Sequence, residues 1–216
     1  KGLTPGTTYS FTIKAFDLAG NFSSSSTVSV STKADISAPT APFGLKATSV
    51  TETEVALQWS PSSDNVKVRK YEIYCDDQIV GSTIKTTYVC KKLLPGKSMN
   101  YTIKAVDTSG LCSAASKSLK VTTSKDTIAP TKPTELVIKS KKGSSVSLSW
   151  SPSKDNVKVK GYKLYCNGLE VATAARTSRT VKNSSLLGVG IYWVRAYDQS
   201  GNLSERSNTV TIVTVK

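Results

Sequence analysis

The chain contains no histidine. Its absence removes Ser-His and Cys-His nucleophilic pairs, imidazole metal ligands and the side chain best suited to moving a proton near neutral pH. Acidic residues are scarce beside basic ones, 15 against 29, and they fall mainly in turns and at exposed strand positions rather than in a paired-carboxylate motif. There is no glycine-rich phosphate loop and no metal-spaced cysteine set, so the sequence presents no catalytic, cofactor-binding or metal site. Long apolar runs are missing too. Charged or hydroxyl residues interrupt every hydrophobic segment, which excludes membrane insertion. The chain opens at Lys1 with no signal-like apolar stretch after it, and reads as a piece of a longer polypeptide.

What is present is alternation and repetition. Val146-Ser147-Leu148-Ser149-Trp150 alternates apolar and polar residues, and a turn containing Pro152, Asp155 and Asn156 leads to a second alternating run from Tyr162 to Cys166. That is the period of half-buried strands. The pattern occurs earlier, from Val55 to Trp59 and from Tyr71 to Cys75. Trp59 and Trp150, Tyr71 and Tyr162, Cys75 and Cys166, Asp107 and Asp198, and Pro39 and Pro130 are all 91 residues apart. A repeat of this length is a self-sufficient domain rather than a solenoid unit.

Paired prolines mark the boundaries, because they cannot donate ladder hydrogen bonds and favour extended backbone. Pro39 with Pro42, and Pro130 with Pro133, define connectors at 34–42 and 125–133. The complete modules are then 43–124 and 134–216, and residues 1–33 correspond to the last two strands of a partial module. In the first complete module strands are expected near 44–49, 53–59, 67–75, 78–83, 86–91, 99–107 and 112–123. Asp76-Asp77 and Asn167-Gly168 are hairpin turns, while Asp107 to Gly110 and Asp198 to Gly201 place Asp first and Gly fourth, as type I turns favour.

The tryptophan ending the second strand, Asp-Asn-Val-x-Val-x-x-Tyr, Leu-x-Pro-Gly at Leu3–Gly6 and Leu93–Gly96, and Ala-x-Asp-x-x-Gly together resemble fibronectin type III domains. More narrowly, they are similar to the modules of bacterial secreted chitinases and other polysaccharide-degrading enzymes. The resemblance implies an all-β chain of tandem seven-stranded, immunoglobulin-like sandwiches preceded by a partial module. It also implies a secreted or cell-surface setting, and non-catalytic spacer or presentation modules whose partners are neighbouring domains of the same polypeptide. The family's corner tyrosine, eight residues before the turn aspartate, is Tyr9 in the partial module; Met99 and Gly190 fill that slot in the complete ones. Those corners must be fastened differently.

Several side chains carry sharper expectations. With Tyr162, Leu164, Cys166, Tyr192, Val194 and Ala196 inward, the period of two sends Tyr165, Trp193 and Tyr197 outward on one sheet face with Lys163 and Arg195. Aromatic rings beside polar donors suit a glycan; the alternative is that cross-strand aromatic pairs stabilise the sheet or meet a neighbouring module. The equivalent outward positions of the first complete module are Tyr74, Thr102 and Val106. Cys75, Cys90, Cys112 and Cys166 align with one another or with apolar residues and read as core positions. Cys75 and Cys90 end strands at the same pole and can form a disulfide, against the alternative of buried free thiols. At Asp64-Asn65 and Asp155-Asn156 two oxygen-bearing side chains invite calcium, but too few oxygens are at hand locally, and turn capping is the better reading.

Residues 125–216 carry 15 basic and 6 acidic side chains, hence +9 of the net +14. Polysaccharide or an anionic cell-wall polymer is therefore a candidate partner of the last module, bound in a salt-sensitive way. Nucleic acid is not, because Lys139, Lys141 and Lys142 belong to one pole and Lys154, Lys158 and Lys160 to the other, leaving no continuous phosphate-tracking stripe. Finally, a lone hairpin at 1–33 with Tyr9, Phe11, Ile13 and Phe22 on one face needs a covering partner, either its neighbouring module or another chain.

Overall fold

The computed structural model describes residues 2–142, 145–182 and 190–213, and these form strands and turns without a helix. Two compact units result: Lys1–Val50 with Glu54–Lys91 and Ser98–Thr122, and Thr51–Thr53 with Lys92–Lys97 and Thr123–Lys216.

The first unit begins with an antiparallel hairpin of β1 (Thr8–Ile13) and β2 (Ser26–Ser31). One face is a ladder of hydroxyls in which Thr8 meets Ser31, Ser10 meets Ser29 and Thr12 meets Thr27 at 2.8–3.1 Å. The other face is apolar and open among the described residues: Phe11 is 47% exposed, Phe22 70% and Ile13 73%. Of the two covers expected, the described residues of the neighbouring module supply none.

The complete module of this unit is a sandwich. Its strands are β3 (Phe43–Val50), β4 (Val55–Ser60), β5 (Val68–Cys75), β6 (Gln78–Thr83), β7 (Thr87–Cys90), β8 (Ser98–Asp107) and β9 (Leu119–Thr122). They form a three-stranded sheet, β3-β4-β7, and a four-stranded sheet, β6-β5-β8-β9. Alternation puts Val55, Leu57 and Trp59 of one sheet, and Tyr71, Ile73, Tyr101, Ile103 and Ala105 of the other, in the buried core. Trp59 and Tyr71 meet edge to face with ring centroids 5.4 Å apart. Asp76 and Asp77 take left-handed conformations, φ 46° and 64°, as a two-residue hairpin turn between β5 and β6 requires.

The second unit repeats the architecture with β10 (Thr134–Lys142), β11 (Ser145–Ser151), β12 (Val159–Cys166), β13 (Leu169–Ala174), β14 (Ser178–Lys182), β15 (Gly190–Asp198) and β16 (Val210–Ile212), ordered β10-β11-β14 and β13-β12-β15-β16. Its core joins Leu136, Val146, Leu148 and Trp150 to Tyr162, Leu164, Tyr192 and Val194. Asn167-Gly168 is the matching hairpin turn, with φ 48° and 88°.

The seventh strand is shorter than expected. In place of a strand over 112–123 there are β9 and a single bridge between Val106 and Cys112. The reason is a pair of serines. Ser113 and Ser116 turn their hydroxyls inward to accept the amides of Ala105 and Ile103 at 2.9 and 3.0 Å, so side chains take the acceptor role that strand carbonyls would have. Ser204 and Ser207 do the same for Ala196 and Val194.

The corners differ as their residues do. Tyr9 accepts the Thr4 amide at 2.8 Å, and Thr32 bonds the Thr4 carbonyl. Where Met99 replaces the tyrosine, a buried Thr123 hydroxyl donates to the Leu94 carbonyl at 2.6 Å and accepts the Lys97 amide at 3.0 Å. At Gly190 an added Cβ would lie 2.7 Å from Cys166 Sγ, so that slot has room only for glycine. The preceding residues 186–189 lie outside the described residues.

The connectors are fixed to the modules they enter. Thr40 donates its amide to the Ser63 carbonyl and accepts the Ser63 amide on its hydroxyl, both at 2.9 Å. Thr131 and Lys154 repeat the reciprocal pair at 2.8 Å. Pro39, Pro42, Pro130 and Pro133 are all buried.

Candidate functional site

The outward face of the second unit's larger sheet is built on the β12–β15 ladder. Tyr165 is the register partner of Trp193, Lys163 of Arg195, and Gly161 of Tyr197. All five side chains named for this face are half-buried. Tyr165 and Trp193 stack with planes 8° apart and centroids at 5.9 Å. Arg206, from the segment that bonds β15 along its other edge, lies 6.0 Å from the Trp193 ring. The Trp193 ring is therefore engaged by a ring and a guanidinium of its own module. Lys163 sits 5.9 Å from the Tyr197 ring and 2.8 Å from the Glu170 carboxylate, whose hydrogen bond raises the lysine pKa above its ordinary value. The stack takes one face of each ring, and Arg206 lies by Trp193 as well.

The first complete module lacks this cluster. Tyr74 is outward, with Lys104 5.2 Å from its ring. Val106, expected outward, is 5% exposed. It lies between its ladder partner Lys70 and the bridging Cys112.

The structure bears on two of the cysteine expectations. Cys75 and Cys90 are free thiols and not a disulfide. The Tyr101 hydroxyl, which bonds Met99 Sδ at 3.6 Å, lies close to both thiols. Burial pushes Cys90 up to about 11, with the neighbouring Tyr101 hydroxyl opposing and the nearby Cys75 adding to it. Cys112, expected in the core, is exposed, because Ser113 and Ser116 rather than Cys112 face inward on that segment. Cys166 is buried and free, and hydrogen-bonds Tyr192.

The two Asp-Asn corners do cap turns. Asp64 Oδ2 accepts the amides of Val66 and Lys67 at 2.8 Å each, and Asp155 Oδ2 those of Val157 and Lys158. The fold adds what local spacing did not suggest. Asp35 and Asp107 come to Asp64, and Asp126 and Asp198 to Asp155, each trio contributing oxygens within 4.8 Å of one another. A signal was available, since Asp35–Asp126, Asp64–Asp155 and Asp107–Asp198 all share the 91-residue repeat.

Comparison with known proteins follows the architecture. A fibronectin type III domain model matches residues 37–122. The chain is similar to chitinase A1 of Niallia circulans, 39% identical over 185 residues, covering 83% of this chain and 26% of that protein. It is 34% identical over 226 residues to exoglucanase B of Cellulomonas fimi, covering 99% of this chain and 21% of the relative. Chitinase Chi52 of Paenibacillus xylanexedens is 46% identical over 90 residues, covering 42% of this chain and 17% of its own. The chain thus spans about a quarter or less of the length of these relatives.

Proposed function

From the premise that this chain belongs to the fibronectin type III family, as a tandem of its sandwiches, we propose that it is a non-catalytic spacer and presentation arm of a secreted polysaccharide-degrading enzyme. The observation that carries the reading is the fixing of each connector to the module it enters. The reciprocal Thr40–Ser63 and Thr131–Lys154 pairs, with four buried prolines, remove the freedom that a Gly/Ser linker would have. A stiff arm limits how far a tethered domain strays and so sets its effective concentration at a surface. The absence of histidine and the flat sheet faces agree with a mechanical role. Native-state hydrogen exchange tests the arm directly: the Thr40 and Thr131 amides should exchange far more slowly than a free peptide. Exchange at the peptide rate would remove the basis of the reading, and hydrolysis of chitin or cellulose by the isolated chain would refute its non-catalytic part.

A second reading has its own observation, the outward cluster of Tyr165, Trp193 and Tyr197 with Lys163 and Arg195, which the first complete module lacks. In that reading the last module contacts glycan or an anionic cell-wall polymer. The mutual stacking of the rings favours the spacer reading over it.

A further inference from the structure

We infer that each complete module holds a calcium ion where the connector, the corner after its second strand and the turn after its sixth strand converge. In the first unit the ligands are Asp35, Asp64 and Asp107; in the second they are Asp126, Asp155 and Asp198.

Three carboxylates with oxygens within 4.8 Å repel one another strongly at low local dielectric. Acidic clusters are common on surfaces, where water screens them. These differ in burial and in hydrogen bonding. Asp107 is fully buried; its Oδ1 accepts the Ser109 and Leu111 amides at 2.8 Å, while its Oδ2 is buried and has no donor. Asp126 is 4% exposed; its Oδ1 accepts the Ile128 amide and the Asn156 side chain, and its Oδ2 again is buried without a donor. Asp64 Oδ1 and Asp155 Oδ1 are also buried and donorless, although the other oxygen of each carboxylate takes two amides. Protein donors thus orient these four carboxylates through one oxygen and leave the other facing like charges, while Asp35 and Asp198 have donors on both oxygens. A buried anionic oxygen left that way is costly unless a cation meets it.

Hydrogen bonding at the turn aspartate follows the residue four positions on. Asp17 and Asp198 have both oxygens satisfied, by the amide and side chain of Asn21 and of Asn202, whereas Leu111 gives Asp107 Oδ1 an amide and has no side-chain donor for Oδ2. The donorless oxygens are thus those of Asp64 and Asp107 in the first trio and of Asp126 and Asp155 in the second.

The donor chemistry selects the ion. All the ligands are hard oxygens, with neither imidazole nor thiolate among them, which excludes the soft and borderline metals. Calcium binds oxygen at about 2.3–2.6 Å, so ligands on opposite sides of one ion lie about 4.6–5.2 Å apart, which accommodates each trio. Magnesium sites usually draw on one or two carboxylates, and these offer three. Waters or main-chain carbonyls complete the coordination. Since Asp35 and Asp126 belong to the connectors, the ion would join each connector to the module it enters and stiffen the proposed arm. The site itself does not depend on the spacer reading, because fast exchange at Thr40 would leave the ion stoichiometry untouched.

The test is calorimetric titration of the whole 216-residue chain, stripped with EDTA, with calcium chloride. Two ions should bind per chain, with Kd at or below about 10⁻³ M, and the melting temperature should rise with calcium and fall back on adding EDTA. Asp107→Asn and Asp198→Asn should each reduce the stoichiometry from two to one. Should either variant fold poorly in EDTA by its urea midpoint, Asp35→Asn and Asp126→Asn on the connectors give the same readout. Absence of both heat and a thermal shift up to about 10 mM calcium would overturn the inference. So would two-ion binding by the Asp107→Asn/Asp198→Asn double variant, and equal affinity for magnesium would overturn the assignment to calcium.

Discussion

Ser113 and Ala105 hold each other by two bonds: the Ser113 amide donates to the Ala105 carbonyl, and the Ser113 hydroxyl accepts the Ala105 amide, both at 2.9 Å. The serine thereby completes the outer edge of β8 at a point where no strand runs alongside. Ser113→Ala keeps the first bond and leaves the Ala105 amide buried without an acceptor. The expected loss is about 1–3 kcal/mol of stability, read as a lower urea midpoint with unchanged m-value. Ser204→Ala should behave alike in the second unit, whereas Ser118→Ala, on an exposed residue of the same segment, should stay within about 0.5 kcal/mol of the parent.

The buried thiols give the first complete module a dependence on alkaline pH. Cys90 titrates at about 11 in the fold against 9.0 without its surroundings, chiefly because burial disfavours the thiolate. A raised pKa means that the folded state keeps its proton where the unfolded chain loses it. Stability from this group is therefore complete below pH 9 and declines as pH rises through about 11. Urea midpoints measured between pH 8 and 10 should fall with pH, and Cys90→Val should flatten the decline over that window. Tyr101, also raised by burial and by the two thiols, contributes only at still higher pH.

Gly161 supports the outward face through its lack of a side chain. An added Cβ would lie 2.8 Å from the Ala174 carbonyl oxygen and 3.1 Å from the Tyr197 ring. The first contact is with backbone and cannot rotate away. Gly161→Ala should cost about 1–3 kcal/mol in the second unit, visible in its urea midpoint, and should move Tyr197 off Lys163.

The architecture was legible because it rests on local rules: the period of two that buries Leu57 and Leu148, the turn chemistry of Asp76-Asp77 and Asn167-Gly168, and the 91-residue repeat. What escaped the sequence depends on side chains meeting across the fold. Ser113 and Ser116 read as polar positions of a strand, because nothing local says that a serine hydroxyl will replace a ladder acceptor. The Cys75–Cys90 pairing rested on the two residues sharing a pole, and the Tyr101 hydroxyl that lies close to both becomes evident only once the sheets are packed. Each aspartate trio draws on three segments, so no spacing within one corner could show it.

Trp193 separates the two functional readings. Its stack on Tyr165 and the nearby Arg206 make it part of the sheet's own cross-strand packing, which contributes about 0.5–1.5 kcal/mol beyond the area buried. Trp193→Ala should therefore lower the urea midpoint of the second unit by roughly 1–2 kcal/mol in stability, and Trp193→Phe should recover part of the loss. If the modules serve as a spacer, both variants and the parent should be retained equally, and weakly, by insoluble chitin and cellulose, and soluble oligosaccharides should leave the Trp193 fluorescence unchanged. A glycan-binding face predicts the opposite pattern. The parent would then be pulled down by polymer and lose that retention on Trp193→Ala at temperatures where the variant is still folded, and its fluorescence would saturate with oligosaccharide. Retention that instead disappears with rising salt, and is insensitive to Trp193→Ala, would trace to the excess of Lys and Arg in residues 125–216 rather than to the rings.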